Sequence, residues 1–179
     1  RGLGDVYKRQ PLRRGQQTVH EKWNNNVAIL SGDTMLVQAY QLMAEVDKEI
    51  VKQVLGVFGK AATEVCEGQQ WDMDFEDKSD VSISDYLKMI EYKTAVLLGA
   101  ALRIGGIISG ASKEEQKYLY DFGRDLGIAF QLKDDLLDAF GNSVTFGKQE
   151  GGDIMSNKKT YLYLKAMELA NESQRLNLE

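Results

Sequence analysis

The sequence predicts an all-α fold, a bundle of long helices around one core. Three observations support this prediction: the 179 residues include a single proline, 43% of them are hydrophobic, and the apolar residues recur at helical rather than alternating spacing. A chain of this length can bury a core of its own. Charged residues make up 27% of the chain, which is ordinary for a globular protein and excludes a disordered one.

Apolar stripes and capping signals locate the individual helices. Ser82 with Asp85, and Ser112 with Glu115, are spaced as N-capping pairs, so a helix is expected to begin after each pair. The third helix is apolar almost all round its middle and is therefore expected to be central. Residues 141–153 contain four glycines without periodicity, which predicts a loop. The predicted helices cover residues 27–46, 49–71, 83–109, 112–140 and 160–169.

The net charge and the low numbers of cysteine and histidine exclude several classes of protein. The net charge of −5 argues against a nucleic-acid surface, which is normally basic. The single cysteine, Cys66, suits a reducing compartment, so we expect a cytoplasmic protein. One histidine, His20, is too few for a zinc cluster or a Ser-His or Cys-His catalytic site. No apolar run approaches the roughly 20 residues that span a bilayer, so we do not expect a transmembrane protein.

Three carboxylates, Asp134, Asp135 and Asp138, interrupt the apolar pattern of the fourth helix. Burying a carboxylate is costly unless a cation compensates for it. Asp134 and Asp138 share a helix face, and Asp135 can reach the same ion or orient its waters. Oxygen-only ligands suit a hard cation such as Mg²⁺. The alternative is that the acids form the solvated face of an amphipathic helix.

Basic residues elsewhere in the chain are suited to a polyphosphate. The guanidinium groups of Arg13 and Arg14 have the shape for bidentate phosphate contact, although an Arg pair can equally be surface charge. Lys93 lies within the most apolar helix, where a lysine either reaches solvent or meets an anion. Lys148, in the glycine-rich segment, and Lys158 after it add further ammonium groups.

The order of the polar motifs carries a resemblance to one family. Gln69 and Asp72 form a polar pair, which can also be a helix cap or a loop contact. The sequence has no P-loop or GxGxxG motif, which argues against an ordinary kinase or NTPase. From Pro11 onward the sequence resembles the trans-isoprenyl diphosphate synthases, the polyprenyl synthetase family. The motifs that carry this resemblance are Arg13-Arg14-Gly15, His20-Glu21-Lys22-Trp23, a Ser31-Gly32-Asp33 turn, Gln69-x-x-Asp72, Lys93-Thr94, Phe130-Gln131-x-x-Asp134-Asp135-x-x-Asp138 and Gly147-Lys148 to Lys158.

The resemblance implies an all-helical prenyltransferase fold around a central cavity. In this family two aspartate-rich motifs face each other and hold Mg²⁺ on an allylic diphosphate. The substrate ionises, and the double bond of isopentenyl diphosphate attacks the allylic cation. By the same resemblance, Asp134, Asp135 and Asp138 form the second aspartate-rich motif and bind the metal, with Asp134 as the foremost direct ligand.

Other residues take their implied roles from the same resemblance. Lys93, Lys148 and Lys158 resemble the lysines that grip the allylic diphosphate, and Thr94 and Gln131 line the same site. Arg13 resembles a contact to the allylic diphosphate, and Arg14 resembles a contact to isopentenyl diphosphate. Gln69 belongs to the implied substrate-binding set, and Asp72 and Asp153 are implied to support it.

Residues 1–10 depart from the pattern of the family. The first aspartate-rich motif should precede Pro11, but only Asp5 matches one of its aspartates, and Lys8 replaces another. We therefore expect residues 1–10 to be a sequencing or assembly join, and residues 11–179 to be a partial polyprenyl synthetase domain from the centre of a synthase. Because half of the metal cluster is missing, we expect little or no turnover by the chain as written.

Two other functions are compatible with the sequence. A class I terpene cyclase shares the ionisation chemistry, but Arg14, which would serve a second diphosphate substrate, and the segment 147–158 speak against it. A non-catalytic subunit of a heteromeric synthase is favoured by the missing first motif, whereas the intact acidic and lysine motifs speak against it. The resemblance also implies a homodimer for the full-length protein.

Overall fold

The computed structural model describes residues 11–13, 15–141, 153 and 157–178. Contacts within the chain divide it into two compact units, residues 1–55 and 56–179, and each unit is described by itself. Apart from one short hairpin, the regular structure of these described residues is helical, as the sequence predicts. No helix in this part of the chain is long and apolar enough to cross a membrane.

The described residues of the first unit form a short hairpin and two helices, followed by the start of a third. Strands β1 (Leu12–Arg13) and β2 (Gln16–Gln17) pair in antiparallel orientation, and Gly15 supplies the positive φ of 73° at the turn between them. Strands of two residues are too short to produce an alternating pattern, so the sequence did not predict this hairpin. Helices α1 (Val19–Lys22) and α2 (Asn25–Ala44) follow it.

Helix α2 includes the Ser31-Gly32-Asp33 segment, so the turn predicted there is wrong. The side chain of Asn24 accepts a hydrogen bond from the N–H of Val27 at 2.9 Å and caps the helix. The hydroxyl of Ser31 donates to the carbonyl of Val27, four residues earlier, at 2.6 Å. A serine that bonds back in this way can stay within a continuous helix, which explains why its presence does not mark a turn.

The described residues of the second unit are mainly helical, and their helices follow the predicted order up to residue 169, after which comes a short helix that was not predicted. The predicted third helix is present as three consecutive segments, because a π-helical turn separates two α-helices. The bounds of the elements are α3, Val51–Asp74, which begins in the first unit; α4, Ile83–Ile90; the π turn, Glu91–Ala95; α5, Val96–Ile108; α6, Lys113–Phe140; α7, Tyr161–Leu169; and α8, Glu172–Leu178.

Capping boxes begin helices α4 and α6, as predicted. The N–H of Ser82 donates to the carboxylate of Asp85 at 3.0 Å, and the N–H of Asp85 donates to the hydroxyl of Ser82 at 3.1 Å. Ser112 and Glu115 form the same reciprocal pair at 2.8 and 3.3 Å. Each box satisfies backbone N–H groups that the first turn of a helix leaves without a partner. These bonds are local, so both helix starts could be located from the sequence.

Small residues bring α5 and α6 into close contact. A Cβ at Gly99 would lie 2.8 Å from the carbonyl oxygen of Tyr120, and one at Gly123 would lie 2.8 Å from the Cα of Gly99. Gly127 lies against Ala95 in the same way, so α6 also packs on the π turn. Buried apolar residues of α5 complete this part of the core: Val96, Ala100, Ile104 and Ile107.

Candidate functional site

The π turn at Glu91–Ala95 contains two predicted site residues, Lys93 and Thr94. The sequence predicts an uninterrupted α-helix here, so the turn was not expected. Lys93 forms a hydrogen bond with a residue of α3, and Thr94 forms one with a residue of α6. Wide turns of this kind are frequent at functional sites, because they alter the direction of the side chains that they contain.

A glycine of α3 allows the π turn to approach this helix closely. A Cβ at Gly68 would lie 2.3 Å from the backbone nitrogen of Lys93, which is closer than two such atoms can come. One turn further along α3, a carboxylate oxygen of Asp72 lies 2.5 Å from Nζ of Lys93. The two side chains are largely buried, with exposed fractions of 10% for Asp72 and 20% for Lys93. Gly68 therefore permits the close pairing of Asp72 with Lys93.

Lys158 makes a second ion pair with the same carboxylate, at 3.1 and 2.9 Å from its two oxygens. Burial raises the pKa of Asp72, but the positive charges of Lys93 and Lys158 outweigh burial and hold that pKa below its ordinary value. Burial lowers the pKa of Lys158, but the charge and hydrogen bonds of Asp72 overcome this effect and raise it. Two ammonium groups from separate parts of the chain thus converge on one carboxylate.

The central aspartate of the acidic motif is buried and hydrogen-bonded. Asp135 is 5% exposed, and its two oxygens accept hydrogen bonds from the hydroxyl of Tyr86 and, at 3.0 Å, from the amide nitrogen of Gln131. Burial raises the pKa of Asp135, while these hydrogen bonds oppose the rise. The amide oxygen of Gln131 accepts a hydrogen bond from the hydroxyl of Thr94 at 3.3 Å. A continuous chain of hydrogen bonds therefore runs from α4 through α6 to the π turn.

The outer aspartates of the motif, Asp134 and Asp138, lie one turn apart on α6 and are partly exposed. Asp138 accepts a hydrogen bond from the N–H of Asp153 at 2.9 Å. The carbonyl of Asp153 in turn accepts one from the N–H of Lys158, also at 2.9 Å. Asp138 therefore helps to hold the backbone that presents Lys158 to Asp72.

The oxygen donors of this motif fit a hard cation that is shared with a ligand. Within the described ranges, no group of three or more His, Cys, Asp or Glu side chains could hold a metal ion by itself. Mg²⁺ is commonly bound by one or two carboxylates, while phosphate oxygens and waters complete its shell. Asp134 and Asp138 fit this arrangement. Asp135, which the sequence predicts as a third ligand, is buried, and each of its oxygens already accepts one hydrogen bond, from Tyr86 or Gln131.

Comparison with known proteins shows which family this chain belongs to. The family model described as Polyprenyl synthetase matches residues 4–179. The chain belongs to the polyprenyl synthetase family. This result confirms the family predicted from the ordered motifs, and the similar solved structures described next confirm the all-α fold.

Similar members of the polyprenyl synthetase family are named as synthases. The chain is 42% identical over 166 residues to the geranylgeranyl diphosphate synthase of Methanosarcina mazei, and the match covers 92% of this chain and 51% of that protein. A crystal structure of a geranylgeranyl pyrophosphate synthase matches with a TM-score of 0.93 and 52% identity, over 99% of this chain and 54% of that one. The crystal structure of the geranylgeranyl pyrophosphate synthetase of Pyrococcus horikoshii matches with a TM-score of 0.90 and 40% identity, and the match covers 99% of this chain and 55% of that chain. The chain thus spans about half the length of these relatives.

Some predicted features of this polyprenyl synthetase chain lie outside the described residues. Residues 1–10 are among them, so the join predicted there stays a prediction, and the family match begins within this segment, at residue 4. Most of the loop predicted over residues 141–153 is also outside. The predicted site residues that cannot be located are Arg14, Lys148 and the side chain of Arg13.

Two residues have a larger part in the site than the sequence suggested. Tyr86 belongs to a buried cluster with Met89 and Ile90, and its apolar spacing does not distinguish it from an ordinary core residue. Asp72 was expected only to support the site, and it is the group on which two lysines converge. Gln69 lies three residues before Asp72. It is not a partner in any of the site hydrogen bonds described above, so its predicted role in substrate binding stays a prediction.

Proposed function

We propose that the protein is a prenyltransferase that condenses an allylic diphosphate with isopentenyl diphosphate in isoprenoid biosynthesis. The observation that carries this proposal is the convergence of Lys93 and Lys158 on the largely buried carboxylate of Asp72. Two charged ammonium groups held together in a partly buried site suit a diphosphate, which carries several negative charges. The names of the similar proteins agree with this class of substrate.

In the proposed reaction, Lys93 and Lys158 stabilise the charge that develops on the diphosphate as the allylic C–O bond breaks. The bonding electrons leave with the diphosphate, and the double bond of isopentenyl diphosphate supplies the electrons of the new C–C bond before a proton is lost. Mg²⁺ held by Asp134 and Asp138 would neutralise part of the charge of the diphosphate. Further roles are proposed from family resemblance alone for Thr94, Gln131, Lys148, Arg13, Arg14 and Gln69.

Binding of inorganic pyrophosphate tests this site separately from turnover. Calorimetric titration of the 179-residue chain in the presence of Mg²⁺ is expected to detect binding. K158A should weaken it at least about tenfold, because a charge-assisted contact is lost. K159A is the matched control, since Lys159 is the adjacent lysine and its ammonium group bonds to Asn157 at 2.9 Å. Equal affinities of the two variants would contradict the assignment of Lys158.

Turnover distinguishes the proposed reaction from its alternatives. The gene product that contains this sequence, incubated with an allylic diphosphate, labelled isopentenyl diphosphate and Mg²⁺, is expected to form a longer prenyl diphosphate. A terpene cyclase would consume the allylic substrate without isopentenyl diphosphate, and a non-catalytic subunit would form no product by itself. The chain as written is expected to show little turnover, because residues 1–10 contain only Asp5 of the first aspartate-rich motif.

We also propose that the full-length protein is a homodimer, as the family resemblance implies. Apolar side chains spaced four residues apart along α6 are between 49% and 63% exposed: Tyr118, Phe122, Leu126 and Phe130. An apolar face of this kind is normally covered by a partner or by further chain. Light scattering is expected to give twice the mass of one chain, and a monomer at micromolar concentration would contradict the proposal. The cytoplasmic location stays a prediction.

A further inference from the structure

We propose that Tyr86 is a positioning residue that determines, through Asp135, which end of the Gln131 amide faces Thr94. The hydrogen bonds that carry this inference are those from Tyr86 to Asp135, from Gln131 to Asp135 and from Thr94 to Gln131. The orientation of the amide can be tested by itself. The consequence for turnover rests on the proposed function.

The bond between Tyr86 and Asp135 lies in the interior of the second unit. Tyr86 is 2% exposed and Asp135 is 5% exposed, so neither group can exchange its partner for bulk water without a local opening. The ring of Tyr86 also contacts the ring of Tyr161, with 6.5 Å between their centroids. The phenol is therefore held by packing, and its hydroxyl fixes one oxygen of the carboxylate.

The second oxygen of Asp135 determines the orientation of Gln131. The NH₂ group of Gln131 donates to this oxygen at 3.0 Å, so the NH₂ end of the amide faces Asp135. The carbonyl end of the same amide then points to the π turn, where it accepts the hydroxyl of Thr94. If Asp135 were free to rotate, the amide could adopt either orientation, and the hydroxyl of Thr94 could serve as donor or acceptor to match it.

The orientation of this amide matters for the proposed reaction. A carbonyl oxygen carries partial negative charge, which favours a cation that develops nearby, whereas an NH₂ group carries partial positive charge and opposes it. Thr94 and Gln131 are proposed to line the site of the allylic diphosphate, and the cation forms on this substrate. Tyr86 would thus act on the reaction through two other residues, without touching the substrate.

The side-chain amide signals of Gln131 in a ¹⁵N-resolved NMR spectrum report on this orientation. They can be assigned by their absence in Q131L. In Y86F, which keeps the ring and removes the hydroxyl, we expect these signals to shift and broaden. Y118F is the matched control, because it removes an exposed hydroxyl that bonds to Glu114 at 2.7 Å. The Gln131 signals should be unchanged in Y118F.

Kinetics provides the second measurement. We expect kcat of the full-length Y86F enzyme to fall about tenfold, while KM for the allylic diphosphate stays within about twofold, because the diphosphate contacts are intact. A loss of folding would instead reduce the amount of active enzyme and also affect binding of inorganic pyrophosphate.

The outcomes separate this inference from the proposed function. Unchanged Gln131 signals in folded Y86F would overturn the inference, whatever the activity. Shifted signals in a protein that binds no pyrophosphate would support it and overturn the proposed function instead. If Y86F does not fold, D135N tests the inference instead. Asparagine has the shape of aspartate, but its side chain can donate as well as accept hydrogen bonds. The Gln131 signals should then shift or split, and an unchanged pair would overturn the inference.

Discussion

The ammonium group of Lys158 lies 2.9 Å from a carboxylate oxygen of Asp72, although 86 residues separate the two in the sequence. The same carboxylate also pairs with Lys93. One largely buried carboxylate therefore holds two ammonium groups in place before any substrate binds. Such preorganisation is what a site needs if it is to stabilise a leaving diphosphate, because the charges need not be assembled during the reaction.

D72N is expected to destabilise the protein by about 3 kcal/mol, because two largely buried ammonium groups lose their counter-charge. The free energy of unfolding can be measured by urea denaturation. D121N is the control, since Asp121 pairs with Lys117 and Arg124 on the surface of α6 and its loss should have a much smaller effect. If the two variants lost the same stability, Asp72 would not have the role described.

The dependence of stability on pH should follow the same group. The pKa of Asp72 is lowered in the folded protein, so its contribution is present above the ordinary value of 3.8 and is lost as the pH falls through the folded pKa. The pKa of Lys158 is raised, so its contribution is present below 10.5 and is lost as the pH rises beyond that value. The difference in unfolding temperature between wild type and D72N should therefore shrink below pH 3.8. A difference that stays constant in acid would refute this account.

G68A is expected to weaken the site by separating α3 from the π turn. The new Cβ would lie 2.3 Å from the nitrogen of Lys93, and overpacking of this kind typically costs about 1–3 kcal/mol. G56A is the matched control on the same helix, because its Cβ would meet no atom within 4 Å, and it should stabilise the protein by roughly 0.5–1 kcal/mol. Thermal unfolding and pyrophosphate titration would measure both effects. Equal behaviour of the two variants would show that the close approach at Gly68 is unimportant.

Removal of Mg²⁺ should reduce the affinity for pyrophosphate. Chelation with EDTA is expected to weaken binding at least about tenfold, because carboxylates and phosphate oxygens share the ion. D134N should reduce the response to added Mg²⁺, measured by titration at several metal concentrations. D125N is the control, because Asp125 is exposed on the same helix and pairs with Arg124. This variant should leave the response to added Mg²⁺ unchanged. Binding that is insensitive to EDTA would exclude the metal role proposed for Asp134.

Local features of the fold could be predicted from the sequence, whereas features that depend on distant neighbours could not. The starts of α4 and α6 are encoded by reciprocal bonds within four residues, between Ser82 and Asp85 and between Ser112 and Glu115. The π turn had no comparable signal, since no proline or glycine lies within residues 91–95. It is held by contacts with α3 and α6, which the local sequence does not reveal.

The candidate site shows the same division. Helical spacing correctly placed Asp134 and Asp138 one turn apart on α6, and the ordered motifs pointed to Lys93 and Lys158. Spacing alone could not show that Asp135 accepts a hydrogen bond from Tyr86, because that partner lies 49 residues earlier in the chain. The roles of these residues in binding and catalysis stay predictions.

The extra residue of the π turn changes the phase of the helix that runs from residue 83 to residue 108. Because an α-helix turns about 100° per residue, α4 and α5 present faces that are offset by roughly this angle from those of one straight helix. Deleting one residue of the turn would restore regular α-helical bonding, but it would also rotate Tyr86 away from Asp135 while the core of α5 stayed in place. This short stretch should therefore tolerate very few changes in length, even where its side chains are kept.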